Sequence, residues 1–70
     1  MTDEIISLLA DITRRPPAAF PPDTPFDIDS LARVELAMAM EDRFRVQIPD
    51  NIVWEWRTPA DVARYLETRT

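Results

Sequence analysis

In the stretch FDIDSLARVEL, residues 26–36, a single serine stands between an aspartate and a leucine where a helical pattern begins. The hydroxyl of Ser30 has two uses open to it. It can accept a hydrogen bond from a backbone N–H of the first helical turn, as N-cap serines do, although Asp29 is as well suited to that duty. Alternatively it can stay free, accessible to another enzyme as a modification site. Nucleophilic use is disfavoured, because an attacking serine needs an adjacent base and the 70 residues contain no histidine and no lysine. Cysteine is absent too, which removes thiol chemistry, disulfides and the usual zinc ligand sets. No catalytic residue and no metal site are therefore expected. Modification elsewhere is constrained as well, since Ser7 is the only other serine and falls inside a helical pattern.

The elements that must position Ser30 follow from apolar spacing. Residues 30–44 hold no proline and are rich in Leu, Ala, Met, Glu and Arg, all good helix formers, which predicts a helix over that range. Ile5, Ile6, Leu8, Leu9 and Ile12 predict an earlier helix over residues 3–13, with Thr2 as N-cap and Asp3 and Glu4 at the positive end of its dipole. Between them, residues 14–25 include the proline-rich run RRPPAAFPPDTP, a stiff connection that cannot be helical throughout. Farther on, Asp50 is expected to cap a short helical stretch over residues 52–56. Thr58, Pro59 and Asp61 then supply cap, N1 proline and acidic N3 residue for a last helix ending near Glu67. Alternating strand patterns are missing. The predicted class is all-α: one domain over residues 1–70, a small four-helix bundle with a long proline-rich first loop and a short third helix.

The second helix carries two apolar stripes at 100° per residue. Leu36, Ala37, Met40 and Phe44, with Val46 and Ile48 beyond, predict its contribution to the core. Leu31, Val34 and Met38 gather on the opposite side, flanked by Glu35, Glu41 and Asp42. A domain this small buries only about 60% of the surface its extended chain exposes, so one stripe is expected to face solvent. An exposed apolar stripe rimmed by carboxylates suits transient docking of a basic partner, although an acidic helix face is more often plain solvated surface. Thirteen acidic residues against eight arginines give a net charge of −5, which argues against nucleic acid. No apolar run reaches the roughly 18 residues of a membrane span, and the amino terminus is acidic where a signal peptide is basic. A soluble cytoplasmic monomer is expected, and the initial methionine suggests a free-standing unit, though an excised domain would look the same.

Asp29, Ser30 and Leu31, the VEL that follows, Glu41 and Asp42, Phe44, the IPD at residues 48–50, and the Tyr65–Leu66 pair together resemble the acyl carrier proteins. From Ser30 to Leu66 the correspondence needs no insertion or deletion. The resemblance implies that Ser30 receives 4′-phosphopantetheine from a phosphopantetheinyl transferase, with Asp29 and Leu31 beside the attachment point. Acyl groups would ride on the arm's thiol as thioesters, to be presented to acyl-transferring and ketosynthase-type enzymes of fatty-acid, polyketide or allied synthesis. The lack of cysteine fits, because the reactive sulfur would belong to the prosthetic group. It also implies that Val34, Glu35, Met38, Glu41 and Asp42 meet basic docking surfaces on those partners.

Several residues depart from the family pattern. Phe26 and Asp27 stand for the leucine and glycine before the aspartate, a tolerable change, because if that glycine is left-handed an aspartate can still adopt the conformation at modest cost. Phe20 is the candidate to plug the core from the shortened loop. Ala32 replaces a common acidic residue, and Arg33, Arg43 and Arg45 make the helix less acidic. Trp56 is expected in the core and Trp54 partly exposed. Two alternatives stay open: an unmodified carrier-like interaction module, and a peptidyl carrier, which the aspartate before the serine disfavours.

Overall fold

The computed structural model describes residues 1–69. Helix α1 (Thr2–Thr13) buries Ile5, Ile6 and Leu9. Its N-cap is Met1 rather than Thr2, which lies inside the first turn and makes no capping bond. Helix α2 (Ser30–Phe44) has the predicted bounds and buries Leu36, Ala37 and Met40. Helix α3 is one turn, Asp50–Val53, with Pro49 at its N-cap. It is shorter and earlier than expected, since Asp50 is its first residue and Trp54 closes it. Helix α4 (Pro59–Glu67) opens on the predicted cap and acidic N3 residue, which together form a capping box: Thr58 Oγ1 accepts from the Asp61 N–H at 3.1 Å, and Asp61 Oδ2 accepts from the Thr58 N–H at 3.2 Å. The Arg57 N–H also donates to Asp61 and, with that of Thr58, holds the Asp61 carboxyl below the usual aspartate range. No strand occurs among the described residues.

The long connection is more ordered than a spacer. A 3₁₀ turn at Pro17–Ala19 delivers Phe20 into the core, where it is almost wholly buried. The Phe26 N–H donates to the Arg57 carbonyl at 2.9 Å, and the Ala60 N–H donates to that of Pro22 at 3.0 Å, so the loop is fastened to the start of α4. Arg15 reinforces it by stacking on the Phe20 ring and donating to the Asp27 carbonyl. Asp27 needs no left-handed conformation and has no positive φ. The two residues that do are Arg14 and Arg45, the C-caps of α1 and α2, both at φ 57°. The core joins α1, α2 and α4 around Ile5, Leu9, Leu36, Met40, Val62 and Leu66, with Phe20 and Trp56 buried among them. Phe44 and Val46 are only half-buried against it.

Candidate functional site

Ser30 is the first residue of α2 and is exposed. Asp29 caps the helix: its backbone is extended, and its Oδ1 accepts from the Ala32 N–H at 2.8 Å. With the cap supplied by its neighbour, the Ser30 hydroxyl makes no hydrogen bond among the described residues. The choice between capping and availability is thereby resolved locally, because an aspartate one position earlier meets the helix's need for an acceptor. An exposed hydroxyl with no internal partner, on a rigid helical turn, fits a group attached covalently through that oxygen.

Along α2 the second stripe is exposed as its phase predicts: Leu31 is 67%, Val34 41% and Met38 62% accessible. Glu35 and Asp42 flank it, exposed. Glu41 differs from both. It is half-buried, and its Oε2 accepts from the Ile48 N–H at 2.9 Å, so one carboxylate oxygen is committed to holding the segment between α2 and α3. Val34, Met38 and Glu41 line one side of a groove of about 380 Å³, whose other side includes Ile48, Asp50, Val53 and Trp54. Trp54 is exposed and Trp56 buried, as expected.

Arg33 was not recognised from sequence as a structural residue. Its Nη1 donates to the Val53 carbonyl at 2.8 Å and to the Trp56 carbonyl at 2.7 Å, and its guanidinium lies 5.0 Å from the Phe26 ring centre. Burial pulls its pKa below the ordinary arginine value, and the group stays charged. One side chain thus fastens α3, the turn after it and the segment before Ser30 to the first turn of α2. The signal was present in the spacing: Leu36, Ala37 and Met40 lie three, four and seven residues beyond Arg33, which places this cation on the core face. A charge there requires internal acceptors.

The family described as "Phosphopantetheine attachment site" has a model that matches residues 3–66. The acyl carrier protein of Thermobifida fusca is 36% identical over 69 residues, which cover 93% of this chain and 87% of that protein. The meromycolate extension acyl carrier protein of Mycobacterium leprae is also 36% identical, over 67 residues that cover 90% of this chain but 58% of that protein, so this chain spans little more than half its length. A free-standing peptidyl carrier protein from Acinetobacter baumannii has the same fold, with a TM-score of 0.85 at 24% identity, covering 97% of this chain and 89% of that one. A small all-helical domain of the phosphopantetheine-attachment class is what the fold and the family model define, and the chain belongs to the acyl carrier protein family. Its function is that of a carrier on which 4′-phosphopantetheine is covalently held and acyl intermediates travel as thioesters. Carriers of this kind are served by a phosphopantetheinyl transferase and by biosynthetic enzymes. No helix among the described residues is long and apolar enough to cross a membrane.

Proposed function

We propose that Ser30 is the attachment residue and that the exposed face of α2 is where partner enzymes dock. The observation that carries this is the division of labour at the start of α2, where Asp29 Oδ1 takes the Ala32 N–H and Ser30 Oγ has no internal partner. When bound, the arm supplies a thiol on which acyl groups are held; everything else is presentation by this chain. Asp29 keeps the turn fixed, and Leu31 sits beside Ser30 as an apolar contact for the transferase. Val34 and Met38 extend that contact, while Glu35, Asp42 and the remaining oxygen of Glu41 attract a basic surface.

The chain acts as a cytoplasmic monomer in fatty-acid, polyketide or allied synthesis and catalyses nothing itself. A lipid-building pathway is supported by the name of the mycobacterial relative. Intact mass after co-expression with a broad-specificity phosphopantetheinyl transferase tests the assignment. The wild type should gain the mass of one arm, and Ser30→Ala should gain none while keeping its helical circular dichroism. If no transferase adds mass to the wild type, an unmodified interaction module replaces the carrier.

A further inference from the structure

The groove between α2 and α3 continues the face of Ser30. Val34, Met38 and Glu41 follow Ser30 by four, eight and eleven residues, so they run down the same side of the helix, the last about 16 Å from Ser30. Across the groove stands Trp54, 55% exposed. The chain has six aromatic residues, and three of them, Phe20, Phe26 and Tyr65, carry an arginine of the chain itself at 5.0–5.2 Å. Trp54 has no such cation among the described residues, although indole is the ring that attracts one most strongly. The groove is also one-signed. Its charged lining consists of Glu41 and Asp50, and the Asp50 carboxylate has no hydrogen-bond partner among the described residues.

We propose that Trp54 and Asp50 form a socket for an arginine side chain projecting from the enzyme that docks on α2. The guanidinium lies on the exposed indole face, where a flat, weakly hydrated cation stacks better than an ammonium, and its N–H fork reaches the Asp50 carboxylate. The aliphatic stem lies along Val34 and Met38, which a partner seated on α2 already covers. An arginine is favoured over an apolar side chain because the lining includes two carboxylates and no base, in a chain of net charge −5. The socket rests on the docking of partners along α2 and specifies what they must bring.

Steady-state loading by the transferase and coenzyme A, varying the concentration of carrier, tests it. Trp54→Ala and Trp54→Leu should each raise KM for the carrier by about 3- to 30-fold with kcat unchanged, while Trp54→Phe falls between them and the wild type. Asp50→Asn should raise KM and weaken its dependence on salt. Replacing the socket's arginine on the transferase with alanine should raise KM for the wild type and leave that of Trp54→Ala unmoved. Denaturant midpoints of the Trp54 variants should stay near the wild type, since the ring is exposed. A wild-type KM in Trp54→Leu would mean that the groove takes an apolar partner group and would overturn the socket. An unchanged loading KM with slower onward acyl transfer would assign the groove to cargo, and overturns it equally. In both cases the wild type is still loaded at Ser30; a wild type that is not loaded removes the carrier assignment and the socket together.

Discussion

At Ser30 the competing roles of a helix-start serine are separated by one neighbouring side chain. Asp29 was readable in the sequence as an alternative cap, but which of the two residues would serve depended on backbone geometry, and spacing does not encode that. The same limit applies to the carboxylates. At 100° per residue Glu35 and Asp42 share one flank of the exposed stripe and Glu41 lies on the other, but phase gives no sign that Glu41 reaches the Ile48 N–H, a contact seven residues away through a non-helical segment. The three should therefore separate by experiment. Glu35→Lys and Asp42→Lys should slow arm transfer and flatten its salt dependence at unchanged folding stability, because attraction between exposed surfaces acts on encounter and is screened over about 8–10 Å. Glu41→Lys should in addition lower the unfolding free energy, by about 1–3 kcal/mol for the N–H it strands, and with it the denaturant midpoint. Equal midpoints for all three variants would show that the Ile48 bond contributes nothing.

Among the elements, α3 is the one that cannot stand alone. A single turn of helix is far below the length at which propensity sustains it, so its position depends on what holds it from outside. Arg33 supplies that hold through the Val53 and Trp56 carbonyls. Arg33→Met keeps the length of the side chain and removes both donors. Amide exchange of residues 50–57 should accelerate by at least tenfold, with α1 and α4 far less affected, since local openings draw on the local contacts that close them. Uniform acceleration across the domain would mean that Arg33 contributes to global stability instead. The long helices were legible because periodicity and caps agree over many residues. The limits of α3 were misjudged because five residues carry too little periodicity to set a boundary, and aromatic composition drew the expected helix two residues late. The 3₁₀ turn at Pro17–Ala19 was hidden within a proline run that reads as mere interruption.

Over the whole molecule, the two stripes of α2 divide stability from recognition. Met40 is fully buried and Phe44 half-buried, while Val34 and Met38 face solvent. Denaturant midpoints of the four alanine variants should fall furthest for Met40→Ala, which loses roughly 2–5 kcal/mol of unfolding free energy, less for Phe44→Ala, and least for Val34→Ala and Met38→Ala. A domain of this size has few kcal/mol to spare, so Met40→Ala is expected near the limit of folding. The reverse order would exchange the core and docking faces. With a radius of gyration of 10.7 Å the chain is about as compact as a typical 70-residue domain, for which about 11 Å is expected.

Arg14 and Arg45 close their helices in the left-handed conformation that glycine adopts at least cost, in a chain that has no glycine anywhere. Each such cap carries a backbone penalty of roughly 1–2 kcal/mol. Against that, a backbone in which every residue bears a side chain, and seven are proline, samples a narrower disordered ensemble, by about 0.4–1 kcal/mol for each glycine avoided at an unstrained position. Part of what keeps this small domain folded is thus the restricted freedom of the state it leaves behind, a contribution that no contact in the folded molecule reveals.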